Sequence, residues 1–396
     1  MKPEDFIIYD DKKISWSRAL RNDLKKHKRH EFKRNAFAIG LYRPFIKQHL
    51  YFDRNFINDF AQMHLAFPSS AEDNLIICVS GIGARAGFST LISDQIPNLH
   101  TLDTSQCFPL YLYEKAKDNT ADSDDLFAQA DPRPHTPSPE PHTGYTRKDG
   151  ISDAGLAHFQ KSYPGETISK EDLFYYIYGL LHSPEYRSRY ADNLSKELPR
   201  IPAVKKAADF WAYSKAGRDL AHWHLNYETV EMYMGCRVLG VGYGKLGDGV
   251  LGMGDGVLGM GYGTKTSHPI PHTLSPNLKP EDYRVTKMKF AKVKDPETGK
   301  SVADKTTVIY NPKITVKDIP LEAYDYIVNG KPAIEWVMER QAVTIDKKSG
   351  IKNDANLWAT ETMGNAKYPL ELLLRVITVS LETNKIVNSL PELEID

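Results

Sequence analysis

Residues 169–202 carry the clearest hydrophobic pattern in the chain, and that pattern comes with strong helix-end signals. Ser169 followed by Asp172 fits a capping box at a helix N-terminus. From Leu173 to Leu181 nearly every residue is apolar or aromatic, which predicts a helix that is buried on all sides. Pro184 is suited to the first position of a second helix. The stretch therefore predicts a buried helical hairpin.

The apolar pattern continues in the second helix of this hairpin and in the segment that follows the hairpin. Tyr186, Tyr190 and Leu194 recur every four residues and predict one apolar stripe on the second helix. A third helix is predicted from Val204 to Tyr227. It contains two histidines only two residues apart, which do not face each other on a helix and are not expected to form a metal site.

Residues 36–52 alternate aromatic and basic side chains, which is typical of a β-strand. Strand periodicity places Arg43, Phe45 and Lys47 on one face. Basic and aromatic side chains on one face are suited to gripping a phosphate backbone and stacking on a base. An edge strand of a mixed sheet explains the pattern equally well, and Pro44 favours an edge. The upstream basic segment, residues 18–34, likewise predicts either phosphate contacts or a solvated helix face.

A short apolar strand, Asn74–Ser80, is followed by two glycines that suggest a nucleotide-binding loop. Gly81 and Gly83 begin such a pattern, but Gly87 lies one residue too far along for the usual spacing. Asp103 follows at a plausible distance for a ribose-binding carboxylate. A nucleotide site at Gly81–Gly87 is therefore kept as a hypothesis.

From Tyr283 onward the pattern changes to that of a separate α+β module. Residues 284–294 alternate, with Lys287 and Lys289 on one face of a predicted strand. These lysines are suited to phosphate contacts or to solubilising the outer face of a sheet. The further strands predicted are Thr306–Tyr310 and Lys313–Val316, and the predicted helices are Leu321–Val328, Ala333–Gln341 and Leu370–Ile386.

Two segments have compositions that do not favour a packed core. Residues 118–150 are rich in Asp, Pro, Ser, Thr and His, and residues 247–260 contain a tandem glycine-rich heptad. The predicted organisation has five parts: 1–117, a mixed α/β part; 118–150, a low-complexity linker; 151–232, a helical region; 233–282, a Gly/Pro-rich flexible insertion; and 283–396, an α+β module.

Net charge, cysteine spacing and hydropathy limit the classes of protein to which this chain can belong. The 396 residues carry a formal net charge of zero, so any DNA-binding face must be local. The three cysteines are far apart in sequence, which argues against a disulfide framework or a zinc site and favours a reducing compartment. No signal peptide or membrane-length apolar run is recognised. We therefore expect a cytoplasmic protein without a membrane partner.

The helical stretch at 169–202 resembles the specificity region at the C-terminal end of type ISP restriction–modification enzymes. The resemblance recurs, in the same order along the chain, at Leu41–Asp53, Leu75–Gly83, Ser105–Glu114 and Tyr324–Trp336. It implies an α+β fold with a mixed-sheet N-terminal part, a central helical spacer and a C-terminal α+β module. The parent enzymes combine nuclease, helicase-like ATPase, adenine methyltransferase and target-recognition parts, and they use S-adenosylmethionine, ATP and Mg²⁺.

The catalytic signatures of those parent enzymes are not recognisable in this sequence. It contains no Asn/Asp-Pro-Pro-Tyr motif, no Walker A loop and no nuclease-like carboxylate pair with a lysine. The chain alone is therefore not expected to be an enzyme or to require a cofactor.

The resemblance and the basic stretches together predict a DNA-binding target-recognition module. Its partners would be double-stranded DNA and the methyltransferase, helicase and nuclease parts of the same system. The residues predicted to touch DNA are Arg43, Lys47, Lys287 and Lys289. One alternative is a protein-interaction subunit of a methyltransferase complex, which docks a separate methyltransferase chain through exposed aromatics of residues 174–190. The other is an enzyme with a nucleotide site at Gly81–Gly87.

Overall fold

The structure is a computed structural model that describes residues 16–57, 60–68, 73–115, 144–240 and 278–395, together with Asp5, Ile7, Ile8 and Asp10. The chain divides into two compact units. Unit 1 contains residues 1–226, 327–331 and 385–396, and unit 2 contains residues 227–326 and 332–384. Both units combine helices with small sheets, which confirms the predicted α+β class.

Unit 1 begins with small sheets and continues into a group of helices. In chain order its elements up to residue 226 are α1 (Arg18–Lys25), β1 (Phe37–Arg43), β2 (Ile46–Tyr51), α2 (Met63–Ala66), β3 (Ile76–Val79), β4 (Thr90–Ser93), β5 (Ile96–Pro97), β6 (Gln106–Pro109), β7 (Tyr111–Lys115), β8 (Tyr145–Asp149), α3 (Asp153–Ser162), α4 (Lys170–Leu180), α5 (Pro184–Arg189), α6 (Ala191–Leu194) and α7 (Ala207–Leu225). The strands form the sheets β2-β1-β5, β4-β3-β6 and β7-β8.

The single strand predicted over residues 36–52 is wrong, because the chain reverses in the middle of it. Strands β1 and β2 pair antiparallel, so that Leu41 lies opposite Lys47 and Arg43 opposite Ile46. Pro44 and Phe45 make the turn, with Phe45 at a φ of 62°. The Phe45 side chain is 1% exposed. Burial of this ring offsets the cost of its left-handed backbone, a balance that alternation alone does not reveal.

The predicted strand at 74–80 is confirmed as β3. All four β3 residues are buried, and β3 lies between β4 and β6 with antiparallel neighbours on both sides. A continuous apolar run is expected for a strand that is covered on both faces. Strand β8 lies inside the range predicted as a linker. It pairs with β7, which corrects that prediction for residues 145–149.

The helical hairpin predicted at 169–202 is confirmed, with one difference. Ser169 and Asp172 form the capping box, in which each side chain accepts a hydrogen bond from the other residue's backbone. Ser183 caps α5, and Pro184 occupies its first turn. The second helix is interrupted at Tyr190, which ends α5 and precedes α6. The apolar stripe is nevertheless present, because Tyr186 and Leu194 are buried and Tyr190 packs partly buried against the same core.

Helices α4 and α7 cross with their backbones in contact at two glycines. A Cβ atom added at Gly179 would lie 2.2 Å from the Tyr213 carbonyl oxygen, and one added at Gly217 would lie 1.8 Å from the Tyr175 carbonyl oxygen. Both distances are far below van der Waals contact. These two positions therefore require glycine for steric reasons, and both crossing helices contribute side chains to the unit 1 core.

The part of the chain that follows Asn226 begins with an antiparallel sheet of order β10-β11-β12-β9. In chain order its elements are β9 (Arg237–Gly240), β10 (Lys289–Lys294), β11 (Ser301–Ile309), β12 (Ile314–Lys317), β13 (Ile327–Val328), β14 (Lys331–Pro332), α8 (Ala333–Arg340), β15 (Val343–Ile345), β16 (Lys352–Asp354), α9 (Ala355–Leu357) and α10 (Tyr368–Asn388), with single helical turns at Pro280–Tyr283, Leu321–Tyr324 and Trp358–Thr362.

Most elements predicted for this part are confirmed, with three corrections. The strand predicted over residues 284–294 begins only at Lys289, so Lys287 and Met288 precede it. The helix predicted at Leu321–Val328 is wrong: a 3₁₀ turn ends at Tyr324, and Ile327 starts a short strand. Strand β9 lies inside the range predicted as a flexible insertion, yet it completes the sheet by pairing with β12. The tandem heptad at 247–260 lies outside the described residues. The five-part domain division stays a prediction.

Within the described ranges, no helix combines the length and apolar character that crossing a bilayer requires.

Candidate nucleic-acid interface

The β1–β2 hairpin of unit 1 carries Arg43 and Lys47. The Arg43 guanidinium lies over the ring of Tyr42, 4.1 Å from its centroid, and donates hydrogen bonds to the Tyr42 carbonyl at 2.7 Å and to Asn98 Oδ1 at 3.2 Å. Lys47 is partly buried opposite Leu41. The arginine is thus held in one orientation at the hairpin end, with part of its hydrogen-bonding capacity used internally.

The aromatic residues beside this hairpin differ from the set that alternation indicated. Phe45 is buried and unavailable for stacking on a base. Instead, Phe32, Phe37 and Phe56 are 69%, 53% and 45% exposed, and all three rings contact the ring of Tyr51. Exposed aromatic clusters are rare on proteins without a partner for that surface. Phe32 and Phe56 lie outside the alternating stretch, so strand periodicity gave no signal for them.

The basic segment at 18–34 is only partly available for phosphate. Its helix α1, capped by Ser17, has no buried residue. Lys28 and His30 both pair with Asp23, and Lys33 pairs with Asp53 at 2.9 Å. The Lys33 ammonium lowers the pKa of the Asp53 carboxyl. Lys28 and Lys33 thus already have carboxylate partners, which leaves a weaker basic surface than the sequence suggests.

Lys287 and Lys289 of unit 2 are both exposed, and they form no ion pair with any residue in the described part of the chain. Met288 between them is 4% exposed, so the predicted alternation of faces is present. Lys289 begins β10, which is an edge strand of its sheet. Lys287 precedes this strand, so two exposed ammonium groups lie at and just before the start of an edge strand, and neither has an ion-pair partner among the described residues.

The segment that leads to these lysines is fixed by hydrogen bonds. Asn356 donates to the Val285 carbonyl at 2.7 Å and accepts from the Val285 N–H at 2.9 Å. The Val343 N–H donates to the Thr286 carbonyl at 2.9 Å, and Arg284 forms an ion pair with Asp354. The backbone position of Lys287 is consequently set by its neighbours.

The turn at Gly81–Gly87 differs from a phosphate-binding loop in how most of its backbone N–H groups are used. Such a loop points free backbone N–H groups at the ligand. Here the N–H groups of residues 81, 83, 84, 85 and 87 all donate to protein oxygens, at 2.9–3.3 Å. Asp103, the candidate ribose ligand, accepts two of these hydrogen bonds, one at its carbonyl and one at its carboxylate. The adjoining cavity is about 280 Å³. This geometry counts against the nucleotide hypothesis.

The docking-face hypothesis for residues 174–190 is wrong. Phe174, Tyr176, Tyr178 and Tyr186 are at most 2% exposed, because they form the core of unit 1.

Among the described residues, no three His, Cys, Asp or Glu side chains are grouped so as to hold a metal ion.

Comparisons with known proteins agree on one family. The model of the type ISP C-terminal specificity domain matches residues 2–372. The ATP-dependent type ISP restriction–modification enzyme LlaBIII, solved bound to DNA, is similar over 97% of this chain, with 33% identity and a TM-score of 0.71. A nuclease-deletion mutant of the type ISP enzyme LlaGI, solved with a DNA substrate mimic, is similar over 99% of this chain, with 33% identity and a TM-score of 0.69.

A third similar structure is that of a DrdV–DNA complex, with 27% identity over 100% of this chain and a TM-score of 0.71. No curated protein matches the chain. The chain spans 20%, 28% and 32% of the three solved chains, in the order given. The order of motifs, the α+β architecture and a family match over nearly the full length lead to one conclusion: this chain belongs to the type ISP C-terminal specificity domain family.

Proposed function

We propose that this chain is the target-recognition portion of a type ISP restriction–modification system and that it binds duplex DNA sequence-specifically. One observation carries the proposal: 97% of the chain superposes on part of LlaBIII, an enzyme that was solved bound to DNA. Methylation, translocation and cleavage would be carried by other parts of the system. The chain would work beside those parts, in the cytoplasm.

The local charge distribution supports this function. The net charge is zero, but Lys287 and Lys289 are exposed at the start of an edge strand without an ion-pair partner among the described residues, and Arg43 is oriented at a hairpin end. Phosphate contacts of this kind fix the register of a protein on the duplex, whereas base edges in the grooves provide the sequence information. We therefore propose that four side chains contact the phosphate backbone of DNA: Lys287, Lys289, Arg43 and Lys47.

The function is tested by selection from a randomised duplex library at two salt concentrations. We expect one asymmetric motif to be enriched at both. Salt-sensitive binding without a motif would show that readout needs further parts of the system. The absence of binding at low salt would contradict the proposal.

For the double substitution Lys287→Ala/Lys289→Ala we expect weaker binding on all sequences and a salt slope reduced by about 2, because each phosphate contact releases about one counterion. Binding is measured by titration at several salt concentrations. The matched control is Lys161→Ala/Lys196→Ala, which removes two exposed lysines of the helical part of unit 1. Equal slopes in the two double variants would exclude Lys287 and Lys289 as phosphate contacts.

A further inference from the structure

Two hairpins of unit 2 end in turns that share one hydrogen-bonding pattern. The β10–β11 turn begins at Asp295 and the β15–β16 turn at Asp346; both read Asp-x-x-Thr/Ser-Gly. Oδ1 of Asp295 accepts from the Glu297 N–H, the Thr298 N–H and the Thr298 hydroxyl, at 2.7–3.1 Å. Oδ1 of Asp346 accepts from the corresponding three donors at 2.6–3.1 Å.

The backbones of the two turns match as well. Gly299 and Gly350 both adopt positive φ, at 64° and 70°, and each donates its N–H to the carbonyl of the turn's own aspartate. The backbone N–H donors hold the pKa of both carboxyls below the usual range, so that the aspartates are ionised acceptors. Each turn is therefore ordered by its aspartate before any ligand arrives.

The two hairpins start close together. The β15–β16 hairpin is joined to the other by the hydrogen bond from Val343 to the Thr286 carbonyl. The β10–β11 hairpin begins at Lys289, three residues further along the chain. Three extended residues span at most about 11 Å, and two residues joined by a backbone hydrogen bond have Cα atoms roughly 5 Å apart, so the two starting points lie within about 16 Å of each other. Lys287 occupies the short segment between them, and Lys289 is the first residue of β10.

Both hairpins carry exposed lysines. The β10–β11 hairpin also extends beyond its sheet. Among the described strands, β12 pairs with Val308 and Ile309 of β11, and residues 301–304 pair with β10 alone. Along the hairpins and their turns, the exposed lysines are Lys289, Lys292, Lys294, Lys300, Lys305, Lys347, Lys348 and Lys352, of which Lys305 pairs with Glu335 and Lys352 with Asp354. Val293 and Val302, which lie opposite each other, are 48% and 39% exposed.

We propose that these two hairpins together form the surface that enters a groove of duplex DNA, with Asp295 and Asp346 as positioning residues that hold the turns in shape. The inference rests on the proposed function and adds the elements that carry it. A two-stranded β-ribbon fits the major groove of B-DNA. The lysines match the phosphates in charge, and the exposed valines are suited to contact with thymine methyl groups. Turns that are already ordered lose little conformational entropy on binding.

Substitutions of Asp295 and Asp346 test the positioning role, because the loss of negative charge and the loss of turn order change the affinity for DNA in opposite directions. Asp295→Ala/Asp346→Ala and Asp295→Asn/Asp346→Asn remove the same two negative charges, but only asparagine keeps an acceptor oxygen at Oδ1. On the selected duplex we expect the alanine variant of the full chain to bind about tenfold more weakly than the asparagine variant. If the aspartates act only through their charge, both variants should bind the duplex more tightly than the unsubstituted chain, and by the same factor. Equal affinities of the two variants would therefore overturn the positioning role.

The contact surface itself is tested with one lysine from each hairpin. Lys294→Ala/Lys347→Ala should reduce the salt slope by about 2, whereas the control Lys161→Ala/Lys196→Ala should not. No duplex binding by the unsubstituted chain would overturn both the proposed function and this inference. Binding by the unsubstituted chain with an unchanged salt slope in Lys294→Ala/Lys347→Ala would overturn this inference alone.

Discussion

Replacing Gly217 by alanine is expected to lower the free energy of unfolding by about 3 kcal/mol or more. The added Cβ would lie 1.8 Å from the Tyr175 carbonyl oxygen, an atom of the opposing helix backbone that cannot rotate away. Helices α4 and α7 would have to separate, and the contacts of the surrounding core would loosen with them. Alanine gains about 1 kcal/mol over glycine in helix propensity, which offsets only part of this loss.

The measurement is thermal and urea unfolding of the full chain, followed by circular dichroism. We expect a fall in Tm of roughly 10 °C for Gly217→Ala. Gly155→Ala in α3 is the matched control, because its Cβ would meet no atom closer than Ser152 Oγ at 3.3 Å. That variant should unfold within about 1 kcal/mol of the unsubstituted chain. Similar Tm values for the two variants would contradict the steric account of the helix crossing.

The second large effect is a loss of stability in acid, caused by two buried histidines. His224 accepts a hydrogen bond of 2.5 Å at Nδ1 from the Tyr178 hydroxyl, whose oxygen also accepts the Ile92 N–H. His182 donates from Nδ1 to the Tyr178 carbonyl. Burial lowers the pKa of His224 to about 3, and burial, reinforced by the positive charge of Arg187, lowers the pKa of His182 well below its ordinary value. Both imidazoles are neutral in the folded chain at pH 7.

The sign of the pH dependence follows from the lowered pKa values. The unfolded chain binds protons at both histidines below about pH 6.5, whereas the folded chain does not until the pH is far lower. Protons therefore favour the unfolded state, and stability falls as the pH drops below 6.5. For His224 alone the loss between pH 7.5 and pH 5 amounts to about 2 kcal/mol. His182 adds a loss of the same sign.

Urea unfolding at pH 7.5 and pH 5.0 measures this difference. In His224→Gln the difference between the two pH values should shrink by about 2 kcal/mol, although the variant is less stable at both. His222→Gln is the matched control, because His222 is exposed on the same helix two residues away. Its pH difference should equal that of the unsubstituted chain. A pH difference that is unchanged in His224→Gln would show that His224 is not kept neutral by burial.

Strong local signals made several elements predictable from the sequence. The capping box at Ser169 and Asp172, the proline at position 184 and the unbroken apolar run between them identified α4 and α5. Each signal acts within a few residues of the element that it marks, so no tertiary information was needed. The continuous apolar run of β3 and the alternation around Met288 were interpretable for the same reason.

Elements whose partners lie far away in sequence could not be predicted in this way. Strand β9 is formed by pairing with β12, more than seventy residues later, and β8 by pairing with β7 across residues 116–143. Alternation indicated one strand at 36–52, but burial of Phe45 stabilises a turn in its middle. A short apolar stretch does not contain the information about which distant strand it will meet.

In the candidate site, too, some features were predictable from local sequence and others depend on contacts between distant segments. The sequence by itself determined the family, the α+β class, the buried helical hairpin and the exposure of Lys287 and Lys289, because these depend on local patterns and motif order. Only the tertiary structure decided that the Gly81–Gly87 turn uses its N–H groups internally, that Phe32 and Phe56 join Tyr51, and that two matching hairpins start on either side of Lys287. These features arise from hydrogen bonds and packing between segments distant in the chain, which no local pattern specifies.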